Sequence, residues 1–361
     1  MDLELSETQT IFRDTLRDYL EREVPFSRVR ELEKKGAADE ALWQALLRQG
    51  WLGVACPEAL GGGAGSLVDA GLLVEELQRR AVPVPIAEVL ACLHTLLEGG
   101  GEPGREMATG VLAGESLLVP ALHEAGPRLA DVAARVGADG RLSGEKRFVD
   151  YASVASHHLV AARGQQGLGL YCVAAHDPAV RAEPLVSIGR TPQSRVRYDG
   201  APAERVGDAE ACRRLVQLGR TFCTVQTLAC MQQALDMTVA YTSVREQFGH
   251  PIGTFQAVQH HAANMAIHAE SVRFLAYEAL DALQRGDASD EQVALAKAAS
   301  AQAVPEVTML AHQLHGGQGF IEENDLYFFT LRGKERGLAW GSLDECLAIV
   351  AETVERPARW L

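Results

Sequence analysis

Two segments in the last third of the chain carry residue types suited to a phosphate-bearing, aromatic ligand. Arg245-Glu246-Gln247-Phe248-Gly249-His250-Pro251-Ile252-Gly253-Thr254-Phe255-Gln256 sets a fixed cation, amides and aromatic rings just ahead of a long amphipathic stretch. Gln313-Leu314-His315-Gly316-Gly317-Gln318-Gly319-Phe320 closes a helical pattern in a glycine turn flanked by amide side chains. A guanidinium presents planar donors that bridge two phosphate oxygens. Glycine lets backbone approach a ligand closely. Each segment also has a plainer reading: Arg245 paired with Glu246 at the surface, and Gly316-Gly317 as a helix cap.

Other candidates carry less chemistry. His312 and His315 share a helix face and His260-His261 are adjacent, but no Glu or Cys completes a metal set at conventional spacing. Gly61 to Gly65 lacks the Lys-Ser/Thr of a phosphate loop and reads as a flexible connection. Cys223 and Cys230 lie on one helix face as small core residues.

The elements that must position these residues fall into three blocks. Residues 1–112 read as helical. Ser6 caps a stripe of Ile11, Phe12, Leu16, Tyr19 and Leu20. A second helix is expected near Asp39 to Gln49, and Ser66 caps a third that runs to about Arg80. Residues 113–207 change to short apolar runs between turn signals at Asp139-Gly140, Gly164 to Gly169 and Asp199-Gly200, the pattern of a small β-domain. Residues 208–361 return to helices: Ala209 to Val244, Thr254 to Gly286, Asp290 to Leu314, and Leu343 to Glu355. The second of these carries Phe255, Val258, Ala262, Met265, Ala269, Val272, Ala276, Ala279 and Leu283 on one face. The fold class is α+β, with a four-helix bundle as the packing of the C-terminal block.

The chain of 361 residues has a formal charge of −14, with 47% hydrophobic and 23% charged residues. That balance argues against nucleic acid or an anionic membrane surface as partner. It leaves room for an anionic ligand held by local cations. Seven scattered cysteines without a CxxC pair suggest reduced thiols. With no signal-peptide pattern at the N-terminus and no long apolar run, a cytoplasmic enzyme without a membrane span is expected.

These features together resemble the acyl-CoA dehydrogenase family over nearly the full length. The resemblance rests on Gly50-Trp51-Leu52-Gly53, Pro57-Glu58, Gly61-Gly62-Gly63, Glu75-Glu76-Leu77, Pro83-Val84-Pro85 and, above all, the two C-terminal segments in order. It implies an N-terminal helical domain, a middle β-domain, a C-terminal four-helix bundle, FAD and an oligomer that is usually a tetramer. It further implies that Arg245 pairs with the FAD pyrophosphate of a neighbouring subunit and that Phe248 packs near the adenine. Gln247 and Gln256 would hydrogen-bond the cofactor, and Ile252 and Phe255 would line it. Gln313, Gly316 and Gly317 would bring backbone against the dinucleotide, and Ser342 and Asp344 would approach the flavin.

The family pattern fails where a base is needed. Removing the α-proton of an acyl thioester takes a carboxylate within hydrogen-bond reach. The family turn that holds it reads here Ala339-Trp340-Gly341-Ser342, and the alternative position falls at Gly219. Asp344 and Glu345 read as first-turn charges of the next helix. The loop that wraps the flavin and thioester corresponds to Val119 to Gly126. Phe148-Val149-Asp150 stands where a neutral hydroxyl is usual beside the flavin. The catalytic residue is therefore unassigned.

The sequence thus points to one subunit of an FAD-dependent acyl-CoA dehydrogenase. The catalytic glutamate would sit on a homologous partner chain, in an α2β2 assembly that passes electrons to an electron-transfer flavoprotein or similar acceptor. Split enzymes of this kind resemble those that act on bulky thioesters such as steroid side chains. The alternatives are a self-sufficient homotetramer with an atypical base such as Asp344 or Asp150, a flavin monooxygenase on the same scaffold, and a cofactor-free structural role.

Overall fold

The computed structural model describes residues 4–126 and 131–354. The α-helices α1 (Glu7–Glu23), α2 (Phe26–Lys35), α3 (Glu40–Arg48), α4 (Leu67–Arg79), α5 (Ile86–Gly99) and α6 (Gly101–Leu112) lead. Among the described residues, eight strands follow: β1 (Leu118–Ala121), β2 (Arg135–Val136), β3 (Arg141–Asp150), β4 (His157–Gly164), β5 (Gly167–Ala174), β6 (Val180–Leu185), β7 (Gln193–Pro202) and β8 (Glu204–Gly207). The remainder is α7 (Ala209–Val244), a small hairpin of β9 (Glu246–Gln247) and β10 (His250–Pro251), α8 (Gln256–Arg285), α9 (Asp290–His315), α10 (Leu326–Leu338) and α11 (Leu343–Val354). Glu355, the expected end of the last helix, lies outside the described residues. Among the described residues no helix is long and apolar enough to cross a membrane.

By packing, the chain divides into two compact units: Arg30–Ala70 with Pro83–Gly219, and Met1–Val29 with Gly71–Val82 and Arg220–Leu361. The first unit holds the mixed sheet, in strand order β6-β7-β3-β2-β4-β5-β8 with β1 beside β4. The β1–β4 and β2–β4 pairs are parallel and the others antiparallel. Asp199-Gly200, expected as a turn, instead lies within β7. Its partners on β3 step from Ala201↔Leu142 to Asp199↔Ser143, which leaves Gly200 (φ +75°) as the extra residue of a bulge. The Gly61–Gly65 segment is likewise no flexible connection. The Gly63, Ala64 and Gly65 amides donate to the carbonyls of Gly53, Cys56 and Val54. A Cβ on Gly62 would sit 2.2 Å from the Cys56 carbonyl oxygen, so this is a close backbone crossing that needs glycine.

The second unit is helical. Ser6 closes a capping box with Gln9 at the start of α1. Helix α8 buries Met265, Ala269, Val272, Ala276, Ala279 and Leu283 and ends at Gly286 in the left-handed region. The first members of its apolar stripe, Phe255, Val258 and Ala262, are not buried. The sequence reading lacked α10. Gly333 faces Val304 of α9, where a Cβ would approach to 2.5 Å, so this helix contains glycine because it packs so closely. A buried polar network joins α4 to α8. Arg273 grips both carboxylate oxygens of Glu75 (2.9 and 3.2 Å), and the Tyr277 hydroxyl donates to the same group at 2.6 Å. Burial pulls the Arg273 pKa down, but Glu75 and Tyr277 outweigh it and hold the guanidinium firmly charged.

Candidate functional site

Arg245 follows the last turn of α7, its amide donating to the Tyr241 carbonyl at 2.9 Å. The chain then turns back through β9 and β10. Phe248 (φ +56°) and Gly249 (φ +82°) form the two-residue connection, the left-handed pair that matches a hairpin's twist. The Ile252 amide closes the loop on the Arg245 carbonyl at 2.8 Å. This one loop brings together Arg245, Gln247, Phe248, Ile252, Phe255 and Gln256. Phe248 is 91% exposed and meets Phe255 edge-on at 6.2 Å. A bulky aromatic residue in the left-handed region carries strain that the hairpin must hold.

The Arg245 side chain is exposed and makes no hydrogen bond or ion pair among the described residues, so the surface pair with Glu246 is not formed. The Gln247 side-chain Nε2 donates to the Glu246 carbonyl at 2.7 Å. At the end of α9, Gly316 (φ 57°, ψ −141°) is a C-cap in a conformation open to glycine alone. A Cβ on Gly316 or Gly317 would meet only open space, so both glycines present bare backbone outward. The exposed Gln313 precedes them on the last turn of α9. A free guanidinium, two aromatic rings and an accessible glycine backbone fit a phosphate-bearing aromatic ligand.

His312 and His315 are both buried. His312 Nε2 lies 2.7 Å from Thr330 Oγ1 of α10, and its ring stacks on Phe320 at 5.0 Å. His315 stacks on Tyr241 at 4.6 Å. Burial lowers the pKa of both. No group of His, Cys, Asp or Glu able to hold a metal occurs among the described residues.

Ser342 and Asp344 belong to a different place. Ser342 and Glu345 form a capping box at the start of α11: Glu345 accepts the Ser342 amide at 2.7 Å, and Ser342 Oγ accepts the Glu345 amide at 3.3 Å. Asp344 is an exposed first-turn acid. Lys297 of α9 reaches the end of α10 just before this turn, and the 19 residues from there to Gly316 span roughly 28 Å at the helical rise. The sequence-derived residues therefore split into two groups that cannot grip one phosphate.

The turn between α10 and α11 is held by a clamp the sequence reading missed. Cys223 Sγ donates to the Arg336 carbonyl at 3.1 Å, Lys297 Nζ to Gly337 at 2.8 Å, and Arg220 Nε to Trp340 at 2.8 Å. These groups satisfy the open carbonyls at the end of α10 and place cations at its negative pole. Lys297 is fully buried, and burial lowers its pKa. Trp340 is 8% exposed at φ +60°, and Gly341 follows at φ +119°. The position where a base is expected thus carries a tryptophan whose backbone carbonyl is held by Arg220. Gly219, the alternative position, is buried in α7.

In the other unit, Asp150 accepts from Gln193 Nε2 at 2.7 Å and is largely buried, whereas Phe148 (φ +54°) is 59% exposed on a bulge of β3. The loop after β1 is pinned by Glu124. Its carboxylate accepts from buried Lys146 (2.6 Å) and from the amides of Ala133 and Ala134. Burial would raise the Glu124 pKa, but Lys146 and the two amides overcome that and hold it below the usual carboxylate range.

Two family models match this chain: the acyl-CoA dehydrogenase N-terminal domain over residues 6–113 and the C-terminal domain over 210–354. The chain belongs to the acyl-CoA dehydrogenase family. It is 31% identical to acyl-CoA dehydrogenase FadE27 of Mycobacterium tuberculosis, over 91% of this chain and 92% of that protein. Among solved structures, a variant of the Tcur3481-Tcur3483 steroid ACAD matches with a TM-score of 0.91 and 32% identity, covering 97% and 98% of the two chains. The ChsE4-ChsE5 complex of Mycobacterium tuberculosis matches with a TM-score of 0.92 and 27% identity, covering 99% and 100%. The helical N-terminal part, middle sheet and C-terminal helices are those of acyl-CoA dehydrogenases.

Proposed function

We propose that this chain is one subunit of a heteromeric, FAD-dependent acyl-CoA dehydrogenase that desaturates the α,β-bond of an acyl-CoA thioester, with the glutamate base on a homologous partner chain. One contrast carries the reading. The Arg245 loop and the Gly316-Gly317 turn stand open for a dinucleotide, while the turn that would hold a base carries Trp340 under an Arg220 and Lys297 clamp.

In this reading Arg245 holds the pyrophosphate of FAD seated mainly in the neighbour, and Phe248 and Phe255 flank its adenine. Gln247, Gln256 and Gln313 donate or accept around it, and Ile252, Gly316 and Gly317 shape the wall. When bound, FAD accepts the hydride that leaves the β-carbon. Trp340 has no group that takes the α-proton, so in this reading the base comes from the partner chain. Ser342 and Asp344 stand about a helix length away, where they would meet a second flavin if one binds. The division 1–112, 113–207 and 208–361 is the proposed domain scheme. An α2β2 assembly is supported by the likeness to the two-chain ChsE4-ChsE5 complex. A bulky steroid-type thioester is supported by the likeness to the Tcur3481-Tcur3483 steroid ACAD. An electron-transfer flavoprotein or similar carrier is the proposed acceptor. Seven free, buried cysteines agree with a reducing, cytoplasmic setting.

The test is to purify the chain alone and together with its sister chain. Alone it is expected to be nearly colourless and without desaturase activity; together they are expected to be yellow and active. Turnover by the isolated chain, lost in Asp344→Asn or Asp150→Asn, would establish a self-sufficient homotetramer instead. Oxygen consumption with reduced flavin would establish a monooxygenase.

A further inference from the structure

The two motif segments are far apart in sequence, yet one aromatic contact joins them. Tyr241 lies in the last turn of α7, and its carbonyl accepts the Arg245 amide. His315 is the final residue of α9, and Gly316 follows it directly. The two rings stack at 4.6 Å with 17° between their planes. His315 is 5% exposed, and its Nδ1 donates to the Ala311 carbonyl at 2.8 Å, which fixes both the ring's orientation and its tautomer. A ring so held has little freedom to shift.

We propose that Tyr241 and His315 are a positioning pair that sets the spacing between the Arg245 guanidinium and the Gly316-Gly317 backbone, so that one dinucleotide is gripped by both. This inference rests on the reading of the site given above. Neither ring need touch the ligand. A stacked pair contributes enough to change affinity by about two- to tenfold when lost. Along the chain, α8 and the whole of α9 lie between the end of α7 and Gly316, so it is a packing contact that brings the two segments together.

The experiment titrates FAD, read by flavin fluorescence, into the full-length chain assembled with its sister chain. The variants are His315→Ala, His315→Phe, Tyr241→Leu, Arg245→Ala and the double variant of His315→Ala with Arg245→Ala. Thermal unfolding is measured beside each. His315→Ala and Tyr241→Leu are expected to weaken FAD about two- to tenfold, and His315→Phe, which keeps a stacking ring, to restore most of the loss. In the Arg245→Ala background, His315→Ala is expected to add little, since the group it positions is gone. The inference is overturned if both single ring variants only lower thermal stability and leave FAD affinity unchanged. It is also overturned if the His315 effect is undiminished without Arg245. Should His315→Ala not assemble, Tyr241→Leu makes the same test from the opposite ring. If Arg245→Ala itself leaves FAD affinity unchanged, the reading of the site fails; if it weakens FAD while the ring variants do not, only the pairing fails.

Discussion

Arg245→Ala separates an effect on binding from one on stability. The guanidinium is exposed and holds no partner within the described chain, so its loss removes nothing from folding beyond the usual surface range of about ±0.5 kcal/mol. A charge-assisted hydrogen bond to phosphate contributes about 1.5–3 kcal/mol, so FAD affinity should fall roughly ten- to hundredfold. Arg245→Lys keeps the charge but loses the planar fork, and is expected between the two. Fluorescence titration of FAD into the assembled subunits, with thermal unfolding as control, reads both quantities. An Arg245→Ala assembly that binds FAD within a factor of about three of the parent would refute the reasoning. A large drop in its melting temperature would equally show that the side chain was structural.

Further predictions concern the frame that holds the site. His94 and His158 are buried, mainly by which each pKa falls to about 4, so between that value and about 6.5 the unfolded chain binds more protons than the folded one. Stability should therefore fall as pH drops through this window, by up to about 3 kcal/mol per histidine. Urea midpoints of the parent and of His158→Gln against pH should diverge there, and parallel curves would contradict the assignment. Glu75→Gln strips the buried counter-charge of Arg273 and should cost about 2–4 kcal/mol, seen as a lower denaturant midpoint; no change would mean the α4–α8 network is not holding. Gly62→Ala forces a Cβ onto the Cys56 carbonyl and should cost about 3 kcal/mol or abolish soluble expression, whereas parental stability would show that the crossing can relax.

Much of the scaffold was legible because local chemistry dictated it. Helix α7 has the expected bounds, Gly286 ends α8, and Ser6 caps α1, each through patterning or capping that acts over a few residues. What failed depends on contacts distant in sequence. Helix α10 carries Gly333 and Gly337, poor residues for a helix interior by local propensity, and their place is explained only by packing against α9, Gly333 against Val304. Gly200 looked like a turn because a bulge glycine and a turn glycine share a positive φ; only the register with β3 distinguishes them. At the candidate site, Arg245, Phe248 and the glycine turn stand out by residue type alone. Arg220, Cys223 and Lys297 did not, since each acts on a carbonyl brought near by another helix. Tyr241 was silent for the same reason: its role lies in a ring it meets only after α9 has folded back.

The most direct test of the central claim counts flavins. The tail of this chain should complete a dinucleotide site whose reactive ring is served by another polypeptide, so a purified assembly of equal numbers of the two chains should hold one FAD for every two polypeptides. One FAD per polypeptide would show that this chain fills a flavin site of its own, and an assembly with none would remove the dinucleotide from the account.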